Sequence, residues 1–137
     1  MKVFLDTNVL VSGFATRGLC ADVIRLVLAE HELITAEVVL KELKRVLKHK
    51  IQLPGEQIQD ILTFLESQTV QPKPISPPAI PVRDKDDQWV LASALAAKAD
   101  VFVTGDKDLL DIAEQVSGLT ITYPRGFWNL AKKRPRR

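Results

Sequence analysis

Two short segments of this chain share one design, an apolar run that ends on an aspartate. Val3-Phe4-Leu5 leads into Asp6-Thr7-Asn8, and Val101-Phe102-Val103 leads into Thr104-Gly105-Asp106. Short runs rich in Val and Phe, followed by a polar turn, read as buried parallel strands. In open parallel sheets, ligands bind outside the carboxyl ends of the strands. If the two strands are neighbours, Asp6 and Asp106 come close together. Closely placed carboxylates repel unless they share a proton or bind a cation. The pattern therefore points first to a divalent-metal site.

Further carboxylates can be sorted by the faces they occupy. Glu37 has Lys41 and Lys44 at helical spacing, which places it in a solvent-facing ion-pair row. Glu42 instead has Val38, Val39 and Val46 around it, so it borders the apolar stripe, where an unpaired carboxylate needs a partner. Pairing with Arg45 is the alternative for Glu42. Asp84-Lys85-Asp86-Asp87 opens a helix, and capping accounts for Asp84 and Asp86. Asp87 lies on the face continued by Leu91 and Ala94, so its carboxylate can turn toward the sheet edge. Asp108 either caps the next helix or helps to hold the site. Thr7, Asn8 and Thr104 suit either turns or a supporting shell that fixes carboxylate rotamers.

A set of Asp and Glu with no adjacent His or Cys is hard-oxygen chemistry, suited to Mg²⁺ or Mn²⁺. Such ions activate water and stabilise the leaving oxygen in attack on a phosphodiester. His31 and His49 fall away from the acids. The single cysteine, Cys20, excludes an internal disulfide and a multi-cysteine zinc site.

The elements that must position these groups alternate. A strand over 2–5 is followed by helix to about Glu30, then by a strand over 32–35 with Thr35 as cap for a helix over 36–50. A helix over 56–67 precedes a segment with five prolines between Pro72 and Pro81, read as an extended crossing within the domain. A helix over 84–99, a strand over 100–104, a short helix over 106–116 and a strand over 119–123 follow. Gly126 to Lys132 suits a last turn of helix. The expected fold class is α/β, a three-layer α/β/α domain with a mostly parallel central sheet. The domain is expected over 1–131, with a basic tail over 132–137. There is no GxGxxG or GxxxxGK phosphate loop.

No run approaches the roughly 18 apolar residues of a membrane span. The start of the chain passes straight into a strand with no signal-peptide pattern, so a cytoplasmic protein with no membrane role is expected. Net charge is only +2, yet the last six residues carry five positive charges. A second basic group, Lys41, Lys44, Arg45, Lys48 and Lys50, shares one helix. An acidic pocket repels phosphate, so nearby cations must draw an anionic substrate in. Arg83, Lys85, Lys107, the basic helix and the tail, with Lys132, Lys133 and Arg134, are candidates.

Together these segments resemble a PIN domain, the small nuclease fold of VapC-type toxins in toxin–antitoxin pairs. The resemblance spans nearly the whole chain. It rests on Leu5-Asp6-Thr7-Asn8-Val9, Lys41-Glu42-Leu43, Asp87 with Ala92 and Ala94, and Thr104-Gly105-Asp106-Lys107-Asp108-Leu109-Leu110. Tyr123-Pro124-Arg125-Gly126-Phe127 is similar to the end of one PIN subgroup. The resemblance implies a four-acid site, Asp6, Glu42, Asp87 and Asp106, holding Mg²⁺ or Mn²⁺ for RNA hydrolysis. Asp84, Asp86 and Asp87 compete for its third position, where the count back from Ala94 favours Asp87 and Asp84 is the fallback. It also implies a homodimer and a small antitoxin partner. Two alternatives are a non-catalytic PIN scaffold that binds RNA or protein and a Mg²⁺-binding receiver-type regulatory domain.

Overall fold

The computed structural model describes residues 1–76, 80 and 82–133. The apolar runs form the strands that their composition predicts. Lys2–Leu5 (β1) and Val101–Val103 (β4) pair in parallel, with Val3 opposite Val101 and Phe4 opposite Phe102. Both phenylalanines are fully buried, and their rings stack at 5.4 Å between centroids. Glu32–Ala36 (β2) flanks β1 on its other side, Thr69–Gln71 (β3) flanks β2, and Thr120–Thr122 (β5) flanks β4. The sheet is parallel throughout, in the order β3-β2-β1-β4-β5, with helices on both faces.

That order sets the position of any site. From β1 the chain builds outward through β2 and β3, then returns to add β4 and β5 on the opposite side. The carboxyl ends of β1 and β4 therefore border the crevice where the direction of winding reverses, the place where ligands bind in such sheets. The order also differs from the 2-1-3-4-5 order of receiver-type domains, which removes that alternative.

The helices are Thr7–Ala15 (α1), Leu19–Glu30 (α2), Glu37–Val46 (α3), Gly55–Glu66 (α4), Lys85–Ala96 (α5), Lys107–Asp111 (α6) and Pro124–Lys133 (α7). α2 packs against α1 and α7, and α3 packs against α4 and α5. A Cβ at Gly13 would collide with Ile24 and crowd the carbonyl of Cys20, so only glycine lets α1 and α2 approach this closely.

Several local expectations differ from the structure. The first helical stretch is two helices, broken at Gly18, whose φ of 135° suits glycine. Thr35 does not cap α3. β2 continues to Ala36, which is the N-cap residue, and the buried Thr35 hydroxyl has no hydrogen-bond partner. Past Val46, α3 widens into one turn of i→i+5 geometry over Leu47–Ile51, and Gln52 in the left-handed region (φ 61°) ends it. β3 follows from no apolar run. α7 is a full helix rather than a single turn, with Pro124 at its first position, where a missing N–H costs nothing. The expected boundary at residue 131 falls inside α7, and residues 134–137, with Arg134 among them, lie outside the described residues. So do 77–79 and 81 of the proline-rich crossing.

Candidate metal centre

The site begins with the first residue past each of two central strands. The Asp6 backbone N–H donates to the Val103 carbonyl at 2.9 Å, and Thr104 N–H donates to Thr122 O at 2.9 Å, so the sheet ladder extends to both residues. Asp6 is the N-cap of α1 and is 5% exposed. Its Oδ1 accepts from Thr7 N–H at 2.8 Å. Its Oδ2 accepts from the Thr104 hydroxyl at 2.7 Å and from Asn8 Nδ2 at 3.1 Å. Every donor comes from a residue flagged in the sequence, and together they hold the carboxylate in one orientation.

The second strand end is tied to the first. Asn8 Oδ1 accepts from Gly105 N–H at 2.9 Å, and Thr104 Oγ1 accepts from Asp106 N–H at 2.9 Å. One small network of side chains thus sets the spacing between the ends of β1 and β4. Asp106 caps α6 through Oδ1, which accepts from Asp108 N–H at 2.8 Å.

Two helices complete the wall. Asp6, Glu42, Asp87 and Asp106 all line one open cleft of about 340 Å³, with Thr7, Asn8, Val11, Ser12, Val46 and Lys50. Asp84 is exposed and caps α5, its Oδ1 accepting from Asp86 N–H at 2.8 Å. The structure therefore places Asp87, and not Asp84, in the cleft. Asp108 is exposed and outside the cleft lining. Lys85 and Lys107 are exposed in the first turns of α5 and α6. Lys132 is on α7 with its ammonium 4.7 Å from the Trp128 ring centroid, and Lys133 ends that helix.

The electrostatics follow from burial and crowding. Burial, opposed by the Thr104 and Thr7 hydrogen bonds and reinforced by Glu42 and Asp106, pushes the Asp6 carboxyl from 3.8 up to about 6. Burial, with the charges of Asp106, Asp84, Asp6 and Glu42, pushes Asp87 from 3.8 up to about 7. Asp6 and Asp87 thus both respond to the charges of neighbouring acids, as expected of carboxylates facing a common space. Glu42 makes no ion pair with Arg45. An ion pair is formed elsewhere, between Arg25 and Asp22 at the surface.

These groups fit a hard divalent cation. The donors are oxygens only, and the buried Thr7 hydroxyl on the cleft wall has no hydrogen-bond partner. Among the described residues no three acidic, His or Cys side chains converge into a finished coordination shell. Mg²⁺ commonly keeps several of its waters and takes only one or two carboxylates directly. A loose ring of carboxylates matches that habit.

Ser12 on the cleft wall has no signal in the sequence, and Lys50 is marked there only as one cation of the basic helix, with no direction toward the acids. The signal for Lys50 was present, since Glu42, Val46 and Lys50 recur at intervals of four. The wide turn after Val46 shifts the helical phase, so that spacing alone did not set its direction.

Residues 2–108 match a family profile described as PIN domain. No match is found among curated proteins. Among solved structures, the fold is similar to a chain in the crystal structure of VapBC2 from Rickettsia felis bound to a DNA fragment from their promoter. The TM-score is 0.65 at 18% identity, covering 90% of this chain and 98% of that chain. Among the described residues no helix is long and apolar enough to cross a membrane.

Proposed function

Because the chain belongs to the PIN-domain family, we propose that it is a divalent-metal-dependent endoribonuclease, the toxin of a toxin–antitoxin pair. One observation supports this reading most. Carboxylates delivered by β1, α3, α5 and β4 line a single cleft at the crevice where the sheet reverses. Asp6, Glu42, Asp87 and Asp106 would hold Mg²⁺ or Mn²⁺. When bound, such an ion supplies an activated water and stabilises the leaving oxygen of a phosphodiester.

The chain's own groups prepare the site. Thr104, Thr7 and Asn8 keep the Asp6 oxygens from rotating, so no reorganisation is needed when a ligand arrives. Asn8 and Thr104 hold Asp106 at a set distance from Asp6. Lys50 places a cation on the wall of an otherwise acidic cleft, where it offsets repulsion of an incoming phosphate. Lys85 and Lys107 stand in the first turns of α5 and α6 and Lys132 adds a cation on α7, while Lys133 and Arg134 join the proposed cationic set on their sequence alone. The solved structure it resembles is of VapBC2, and a small antitoxin that covers the cleft, a toxin homodimer and a cytoplasmic setting complete the proposal.

The test is a cleavage time course on mixed single-stranded RNA with Mn²⁺, Mg²⁺ or EDTA, alongside Asp6→Asn prepared identically. Cleavage that needs metal and disappears in the variant is expected. Metal binding without cleavage would overturn the nuclease assignment in favour of a PIN scaffold that binds RNA or protein.

A further inference from the structure

A second groove, of about 400 Å³, lies beside the acidic cleft, and Glu42 lines both. It is formed by the other faces of the same two helices. Val38, Lys41 and Arg45 face it from α3, and Asp86, Trp89 and Val90 face it from α5. Lys73, on the chain leaving β3, completes it.

Its chemistry is opposite to that of the cleft. Lys41, Arg45 and Lys73 are exposed, and among the described residues no carboxylate lies within ion-pair distance of any of them. The Asp86 carboxylate at the rim is the only acid besides the shared Glu42. The Lys73 ammonium sits over the Trp89 ring, 4.5 Å from its centroid. Lys73 is placed there by its backbone, whose N–H donates to Glu37 Oε1 at 2.8 Å. Glu37 thus anchors a loop and leaves Lys41 without the ion pair its spacing suggested.

We infer that this groove holds the nucleotide next to the scissile phosphate of a single-stranded RNA, with a base stacked on Trp89 and a backbone phosphate on Arg45 and Lys41. The inference rests on the ribonuclease reading and specifies how its substrate is held. Cations alone would suit any polyanion. An indole face among unneutralised cations, opening onto a carboxylate cleft, suits a strand whose bases stack while its phosphates track positive charge. In such a complex Lys73 is displaced from the ring or moves to a phosphate, so the cation–π contact serves as a cover for the unoccupied face.

The experiment uses the full chain carrying Asp6→Asn, to prevent cutting, and Trp128→Phe, to leave Trp89 as the only indole. A short mixed-sequence single-stranded RNA is titrated while Trp emission is followed, at several salt concentrations. Quenching is expected, and an oligonucleotide with abasic positions should quench far less. Arg45→Glu alters an exposed side chain and should weaken binding roughly ten-fold or more, lowering the salt slope by about 0.7 per lost phosphate contact. In the otherwise native enzyme, Trp89→Leu and Arg45→Glu should raise KM with little change in kcat.

Absence of quenching, with metal-dependent cleavage at unchanged KM in both variants, overturns the groove and leaves the nuclease standing. Quenching by RNA without any cleavage supports the groove and overturns the nuclease. Quenching by an acidic peptide but not by RNA overturns the inference and assigns the groove to a protein partner.

Discussion

The acidic cleft and the cationic groove are built from the same helices, yet they are held in different ways. The cleft's central carboxylate is buried and fixed by three hydrogen bonds, two of them from side chains in the same small network. The groove's cations are exposed, and Lys73 is held by its backbone hydrogen bond to Glu37 and by the Trp89 ring face. Along α3 and the wide turn that follows it, Val46 and Lys50 face the cleft, Val38, Lys41 and Arg45 face the groove, and Glu42 stands between the two. On α5, Asp87 faces the cleft while Asp86, Trp89 and Val90 face the groove. Rotation of one residue about a helix thus separates a group proposed to hold a metal from one proposed to hold a substrate. Substitutions in the buried cleft should act nearly all-or-none, and those in the exposed groove by degrees.

The sharpest way to break that contrast is Asp87→Asn. Loss of a cleft carboxylate should lower cleavage at least ~100-fold, since metal-based charge stabilisation is worth several kcal/mol. At pH 8 without metal the same variant should melt higher than wild type, because one of several repelling charges has gone. If activity falls only a few-fold, Asp87 belongs with the graded groups and the contrast fails.

A smaller effect is expected from Thr104→Ala, which removes the donor to Asp6 and leaves Asp106 N–H without its acceptor. Metal affinity, read by titration calorimetry, should fall roughly ten-fold, as it does when supporting partners of metal ligands are lost. Thr104→Ser should restore it. Equal loss in both variants would trace the effect to packing rather than to the hydroxyl.

The gentlest probe is pH. The folded-state values of Asp6 and Asp87, about 6 and about 7, lie above their ordinary 3.8. Between these limits the native state binds more protons than the unfolded chain, so stability falls as pH rises. The contribution is complete below about pH 4 and lost through pH 6 to 7. For buried Asp6 it amounts to about 3 kcal/mol, a drop of the order of 5–10 °C in Tm. Half-exposed Asp87 adds less. Mn²⁺ should restore Tm at pH 8 far more than at pH 5, and calorimetry with and without the ion checks both.

The cleft was legible in the sequence because its parts are local signatures. An apolar strand followed by Asp, and an acid placed against the polarity of its helix face, can each be read within a few residues. The groove was not legible, although its residues are ordinary. Trp89 and Lys73 are brought together by a backbone hydrogen bond to Glu37, and nothing in the spacing of residues 37, 73 and 89 encodes that link. β3 escaped for a related reason. Thr69-Val70-Gln71 has no apolar run, and its strand character comes from pairing with β2 at the edge of the sheet. Thr35 misled in the opposite way, since its identity suits a cap while β2 pairing carries the strand one residue further.

The sheet order has a consequence for how the protein comes into being. β1 leaves the ribosome first, but its neighbour β4 is among the last strands made, and Thr104 reaches Asp6 across 98 residues. Until the segment around Asp106 has been synthesised, Asp6 lacks the hydroxyl that orients it and the cleft lacks one wall. The four-acid cleft is therefore finished only late in synthesis, and a product truncated before β4 lacks Thr104 and Asp106 altogether. Such long-range pairing also makes folding slow, so the cleft closes only after the chain has been made.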